Sequence, residues 1–288
     1  MKPAILLQTD FSNTWSAVAS MKGVIKITDP ELEIYDLCHD IKSFDPWEAS
    51  LSLNTAEPYW PKGTVIVSVV DPGVGTSRRA SVALLNDGTY VVTPDNGSLT
   101  HLKNGVGIRE IREIDETKNR YHAAEEVSVF HGRDLFGYCA ALLASGKISF
   151  EGVGPAYPVS EVVECPEYNL RPEVRDRVVK TWIMTGLRHF GGVQFGITNE
   201  EFKALGYTEG SKLRITIGHK GKTVFDEQVL FAKSFGFVEK GEPVLYCGSS
   251  RYLSLDCNMD NFMNKYGVDT GTGWTVSISP VEAEVKDA

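Results

Sequence analysis

The chain has no CxxC pair. Its five cysteines, Cys38, Cys139, Cys165, Cys247 and Cys257, are scattered and odd in number. That pattern argues against a disulfide framework and for reduced thiols in a cytoplasmic protein. No apolar run approaches the ~20 residues of a membrane helix. The apolar part of the N-terminal MKPAILLQTDF is too short for a signal peptide. A basic surplus is also missing: 29 Lys and Arg stand against 38 Asp and Glu, a net charge of -9. A general nucleic-acid binder would carry a basic surface. The six histidines include no HExxH and no ligand-like cluster, so no structural metal is expected. GxGxxG is absent, and no Gly-Lys-Ser/Thr follows a glycine-rich turn, which lowers the case for NAD or a nucleoside triphosphate. Internal repeats and low-complexity segments are absent too. What remains is ordinary globular composition, 42% hydrophobic and 23% charged over 288 residues, enough for one large or two ordinary domains.

The most informative stretch is IVSVVDPGVGTSRR, from Ile66 to Arg79. Its β-branched run is the pattern of a parallel strand covered on both faces. Asp71 stands at the strand's carboxyl end, Pro72, Gly73 and Gly75 bend the chain, and Arg78 and Arg79 return charge to the same place. In open α/β sheets, ligands bind beyond the carboxyl ends of strands. An Asp–Arg pair that merely pins a turn would read the same way.

Around this stretch the first half alternates strand and helix. Strands are predicted over Pro3–Thr9, Leu32–Leu37, residues 64–70, Ala80–Leu85, Thr89–Thr93 and Glu126–Phe130. Helices are predicted over Ser16–Ile27, Pro46–Ala56 and Leu135–Ser145, the last closed by Gly146. Asn86-Asp87-Gly88 is a hairpin signal. A mostly parallel sheet follows from the alternation. Four prolines between Pro155 and Pro172 mark a linker. Beyond it come short segments with weak helical period: Arg177–Met184, Lys212–Ile217, Thr223–Phe231, Ser234–Val238, Pro243–Tyr246, Tyr252–Leu255 and Trp274–Ile278. They predict an antiparallel sheet or small barrel. The expected architecture is a Rossmann-like α/β domain over residues 1–160, a linker over 161–176 and an antiparallel β-barrel over 177–288. The tail after Pro280 is expected to be frayed.

Four strand ends of the first half offer polar groups to one face: Asp10, Asp71 with Arg78, Asp95 with Asn96, and His131 with Arg133 and Asp134. Four such ends in one alternating domain suggest a shared cleft. Read together, Asp10-Phe11, Met21-Lys22-Gly23, Val70-Asp71-Pro72-Gly73-Val74-Gly75, Pro94-Asp95-Asn96-Gly97 and Phe130-His131-Gly132-Arg133-Asp134 resemble, in order and spacing, the S-adenosyl-L-methionine hydroxide adenosyltransferases, hydrolase relatives of the fluorinases and chlorinases. The resemblance covers most of residues 1–150. It implies an N-terminal α/β domain, a C-terminal β-barrel, and a homotrimer whose site lies between the N-domain of one subunit and the C-domain of its neighbour.

The resemblance carries a hydrolytic triad onto Asp71, Arg78 and His131. The implied reaction is attack of water on the 5′ carbon of S-adenosyl-L-methionine, giving adenosine and L-methionine, with no metal or organic cofactor. Water is a poor nucleophile and needs a base or a hydrogen-bonded hold. His131 and Asp71 would orient and deprotonate it, and Arg78 would hold the resulting negative charge. The alternative for His131 is a cap on the helix that starts near Asp134. The halogenases replace the histidine motif, so His131 favours water over halide. Asp10, followed by Phe11, matches the carboxylate that holds the ribose hydroxyls. Phe44 matches an aromatic wall beside the reacting carbon, or is core packing.

Elsewhere the chain departs from that pattern. The family's second Asp, five positions past the first, is Trp15 here. In the second half, Phe190-Gly191 matches the middle of an Asp-x-Phe-Gly-Asn segment, but its Asp falls on Arg188 and its Asn on Gly192. The adenine-contact segment reads Gly248-Ser249-Ser250-Arg251, then Asp260-Asn261-Phe262. The methionine ammonium would then be held by other acids, such as Glu200, Glu201 or Asp260. Alternatively the enzyme takes another 5′-substituted nucleoside, with Arg188 meeting a carboxylate or phosphate and Trp15 filling the space of the lost acid. A non-catalytic nucleoside-binding protein is the third reading. In each the partner is a small molecule, not a nucleic acid or a membrane.

Overall fold

The computed structural model of the chain describes residues 2–122 and 129–281. It divides into two compact units, Met1–Tyr168 and Asn169–Ala288. In the first unit the strands are β1 (Ile5–Thr9), β2 (Ile34–Cys38), β3 (Val65–Val69), β4 (Ala80–Leu85), β5 (Tyr90–Pro94), β6 (Ile108–Glu113) and β7 (Ala156–Tyr157). The helices are α1 (Ala17–Thr28), α2 (Pro46–Ala56), α3 (Thr100–Asn104), α4 (Glu116–Asn119) and α5 (Tyr138–Ala144), the last entered through a π turn at Gly132–Gly137. The sheet order is β2-β1-β3-β5-β4-β6-β7.

Only the β2-β1-β3-β5 part is parallel; β4, β6 and β7 pair antiparallel. The expected mostly parallel sheet is therefore mixed. The reason is local: Asn86-Asp87-Gly88 folds β4 back on β5 as a tight hairpin, which can only join antiparallel strands. The β-branched run of β3 is buried throughout. Val65, Val67 and Val69 face α1, α5 and the π turn through Met21, Ile25, Phe136 and Cys139. Ile66 faces the opposite layer with Leu53, Leu99 and Leu102 of α2, α3 and their flanks. Helices thus cover both faces, as the unbroken apolar run requires.

Residues 161–168, expected as linker, are held on the first unit. Val163 N–H donates to Asp95 Oδ1 (2.9 Å), Cys165 N–H to Thr100 Oγ1 (2.8 Å), and Arg79 pairs with Glu161 (2.7 Å). The expected strand at Glu126–Phe130 falls largely on residues 123–128, outside those described, as do residues 282–288 of the expected frayed tail.

The second unit contains β8 (Glu173–Arg175), β9 (Val178–Leu187), β10 (Gly192–Thr198), β11 (Lys212–His219), β12 (Lys222–Phe231), β13 (Pro243–Cys247), β14 (Tyr252–Cys257) and β15 (Gly271–Pro280), with short helices α6 (Asn199–Ala204) and α7 (Phe262–Tyr266). The order β10-β14-β13-β12-β11-β15-β9 closes through β10–β9 into a seven-stranded barrel, and β8 adds to β9 outside the ring. Phe195, Phe202, Phe225, Phe231 and Phe262 fill its interior with aliphatic residues from every strand of the ring. The expected antiparallel barrel has one exception: β12 and β13 run parallel, because the expected strand Ser234–Val238 is instead an irregular crossover with a 3-10 turn at Phe235–Phe237. The sequence pattern does not mark β10, and without it the barrel does not close. Its Gly192 and Gly196 obscure the period-2 pattern.

One buried acid lies well away from the strand ends. Glu57, 6% exposed, hydrogen-bonds Asp87 of the β4–β5 turn, and burial followed by that contact pushes it up to about 7. A folded value above the free-chain 4.5 means that the native state holds a proton the unfolded chain has released. This contribution to stability is present below about pH 4.5 and is lost as pH rises towards 7. Glu57→Gln is therefore expected to unfold at a higher temperature than the parent at pH 8 and to lose part of the parent's gain on acidification to pH 6. Thermal denaturation at both pH values checks this.

Candidate active site

The turn after β3 is built around Asp71 and Arg78. Val74 N–H bonds back to the Asp71 carbonyl, and Thr76 N–H to that of Gly73. Gly75 takes φ +76, a conformation open to glycine. A Cβ on Gly73 would lie 3.0 Å from Arg78 Cγ, so glycine there lets the arginine fold back over the turn. Arg78 Nε then donates to Asp71 Oδ1 (2.9 Å) and Oδ2 (3.1 Å), and Nη2 donates to Oδ2. Nη2 also reaches His131 Nδ1 at 2.9 Å, and the guanidinium lies over the Phe136 ring, 5.2 Å from its centroid. The three sequence-predicted triad residues are thus one hydrogen-bonded unit with arginine in the middle.

That order fixes a tautomer. A guanidinium only donates, so His131 Nδ1 must carry a lone pair, and the neutral ring has its proton on Nε2. His131 is 6% exposed, and burial, then the Arg78 charge, hold it below its ordinary 6.5. The residue stands at the start of the π turn, a local widening common at functional sites. Its neighbours Arg133 and Asp134 do not join it: they pair with each other (Nε to Oδ1, 2.6 Å).

Asp71 and His131 open onto a cavity of ≈ 320 Å³, lined also by Asp10, Phe11, Phe44 and Phe130. Asp10 comes from the end of β1, adjacent to β3 in the sheet. Its carboxylate accepts Phe44 N–H (3.0 Å), and burial is the main reason its pKa is raised. Phe44, 72% exposed, is not core packing, and its φ of +64 is unusual for a bulky side chain. Phe11 packs edge-on against Phe130, 6.0 Å between centroids.

Other expectations separate from this cleft. Trp15 is 76% exposed and does not line it. Asp95 is a buried brace that accepts from Tyr157 Oη (3.0 Å) and Val163 N–H, while Asn96 Nδ2 donates to the Val70 carbonyl (2.9 Å). Arg79 stacks on Tyr157 and points away from Asp71. Arg188, Phe190 and Ser249 belong to the second unit. There Phe190 is 71% exposed, Ser249 is exposed, and Arg188 Nη1 lies 3.9 Å from Asp269 Oδ1. Glu201 is occupied in a capping box with Thr198.

Asp256 lies outside every motif of the sequence. It is 6% exposed, accepts Cys257 N–H (2.9 Å) and bonds Tyr246, and burial pushes it up to about 6. A Cβ on Gly192 would lie 2.4 Å from Asp256 Oδ2. The carboxylate therefore occupies the room of a side chain at 192, the position where an Asn was expected. The signal available in sequence was the unexplained Gly191-Gly192 pair.

Among the described residues, no group of three or more His, Cys, Asp or Glu could hold a metal ion, and no helix is long and apolar enough to cross a membrane. Gly132 offers a direct test of the packing. Its Cβ would meet the Phe11 ring at 3.0 and 3.2 Å, so Gly132→Ala is expected to displace Phe11 and cost about 1–3 kcal/mol, read by chemical denaturation.

The chain is similar to known proteins over most of its length. The family model described as SAM hydroxide adenosyltransferase N-terminal domain matches residues 5–154, and the C-terminal domain of the same family matches residues 188–275. An (R)-S-adenosyl-L-methionine hydrolase of Methanocaldococcus jannaschii is 30% identical over 92% of this chain and 92% of its own. One of Thermus thermophilus is 32% identical over 94% and 98%. An uncharacterized conserved protein from Thermotoga maritima, solved by crystallography, superposes with a TM-score of 0.81 at 32% identity, over 96% of this chain and 99% of that one. The chain belongs to the SAM hydroxide adenosyltransferase family.

Proposed function

We propose that the protein hydrolyses S-adenosyl-L-methionine to adenosine and L-methionine. The observation that carries this reading is the Asp71–Arg78–His131 unit at the edge of a cavity, in a chain whose relatives named above are (R)-S-adenosyl-L-methionine hydrolases. Water forms an O–C5′ bond as the C5′–S bond breaks, and the bonding electrons neutralise the sulfonium. The leaving thioether needs no acid. The proton lost by water needs an acceptor, and neutral His131, with Nδ1 tied to Arg78, offers only Nε2–H to the cleft. Asp71 is then the base, and His131 holds the water oxygen in line. Arg78, behind both, keeps Asp71 oriented.

Asp10 takes the ribose hydroxyls, with Phe11 and Phe44 as apolar walls. Trp15 (76% exposed), Phe44 (72%) and Val129 (66%) leave large apolar side chains uncovered around this end of the unit. Such exposure fits a partner surface, and a homotrimer in which the neighbour's barrel brings Arg188, Phe190 and Ser249 over the cleft would provide it. The Rossmann-like reading of the first unit rests on its four parallel strands and on a site beyond their carboxyl ends. The first unit, residues 1–160 with the segment that follows, and the barrel, residues 177–288, act as separate domains. Five free cysteines fit a cytoplasmic setting.

Adenosine and methionine released from S-adenosyl-L-methionine, followed by chromatography, test the reaction. Asp71→Asn is expected to lower kcat about 10²–10⁴-fold. The activity is expected to hold from pH 7 upward and to fall on acidification, with a midpoint below 6.5, because protonation of His131 Nδ1 opposes the Arg78 bond. Adenosine binding without any turnover would replace this reading with that of a nucleoside-binding protein.

A further inference from the structure

Behind Asp10 lies a chain of polar contacts, running from buried Thr9 and His39 out to exposed Asp36, that the reaction does not use. Thr9, the last residue of β1, is wholly buried. Its hydroxyl oxygen accepts Phe11 N–H (3.1 Å) and lies 2.9 Å from His39 Nδ1. His39, 4% exposed, reaches Asp36 Oδ1 through Nε2 (3.0 Å), and Asp36 also pairs with Lys22 (2.7 Å). With the His39 ring neutral, each atom has one role. The carboxylate accepts, so His39 Nε2 carries the proton. In the neutral ring Nδ1 then accepts, so the Thr9 hydroxyl donates to it while accepting from Phe11.

The His39 carbonyl, in addition, accepts Ser12 N–H (2.8 Å). One residue therefore grips the chain at Thr9 and at Ser12, on either side of Asp10 and Phe11. On its other side Asp10 is tied to Phe44 N–H, in the loop that follows His39. The loops after β1 and β2 are cross-tied at three points, and Asp10 sits between the ties.

We infer that Thr9 and His39 are positioning residues that hold Asp10 in the cleft for the ribose hydroxyls of the substrate. This rests on the reading of Asp10 given above. A buried hydroxyl that both donates and accepts rules out an apolar substitute of equal size. Thr9→Val keeps the shape and the β-branched strand preference and deletes only the hydroxyl. Thr9→Ser keeps the hydroxyl.

The test reads both variants three ways. In calorimetric titration with adenosine, Thr9→Val is expected to bind about tenfold more weakly, and Thr9→Ser within twofold of the parent. With S-adenosyl-L-methionine, Thr9→Val is expected to raise KM by a similar factor with kcat changed less than twofold, the signature of lost ground-state binding. His39→Gln combined with Thr9→Val is expected to lose no more than the worse single variant, because both cut one chain of contacts. The third reading needs no ligand: a carbon-detected titration of the Asp10 carboxyl is expected to move down towards its ordinary value in Thr9→Val and to stay in Thr9→Ser. A folded Thr9→Val with parental adenosine affinity and an unmoved Asp10 titration overturns the inference and leaves the proposed reaction intact. A parent that neither binds adenosine nor turns over substrate, with Asp10 still moving in Thr9→Val, overturns the reaction and the ribose role and keeps the positioning.

Discussion

The guanidinium of Arg78 is the interaction on which the site depends. It spans Asp71 and His131, and because arginine has donors but no acceptor, its position dictates what the other two can do. Asp71 is left as the acceptor that faces the cavity, and His131 is left as a donor through Nε2. Three residues with several possible protonation patterns are reduced to one. The same constraint reaches into the backbone. The turn must be glycine-rich for the arginine stem to pass over Gly73, and a π turn carries His131.

The scaffold around that unit is rigid on one side and polar on the other. β3 is buried between two helical layers, so Asp71 is delivered from a fixed strand end. Asp10 comes from the neighbouring strand β1, in register with β3, and its loop is tied to the loop after β2 through Thr9, His39 and Phe44. Both carboxylates lie beyond the carboxyl ends of parallel strands, where backbone groups are no longer paired along the ladder and side chains can converge. The hairpin strands β4 and β5 support this part of the sheet, and their turn lies at the end away from the site.

Much of the first unit was legible in the sequence because periodicity there is strong. The β-branched run at 65–70, the helix at 46–56 with its N-terminal proline and the Asn-Asp-Gly hairpin all appear at or within two residues of the expected places. The second unit was less legible. β10 carries two glycines with no side chain to show a period. The segment at Ser234–Val238 has strand-like residues but crosses between parallel neighbours and never enters the ladder. For the site, motif order brought out Asp10, Asp71, Arg78 and His131, but position at a strand end or turn misled for Arg79, Asp95 and Asn96. Arg79 follows a triad residue and Asp95 and Asn96 belong to a motif themselves, yet the three are turned to brace Glu161, Tyr157 and Val70.

By itself the sequence determined the α/β and all-β halves, the strand ends that carry charge and the family to which the chain belongs, because these depend on residue type and short-range spacing. Only the tertiary structure decided that arginine lies between acid and histidine, that His131 is neutral with Nε2 protonated, that Phe44 is a cleft wall, and that Asp256 fills the room left at Gly192. Each of these depends on which side chains converge from distant parts of the chain and on what burial does to their charge. Neither is written in the local order of residues.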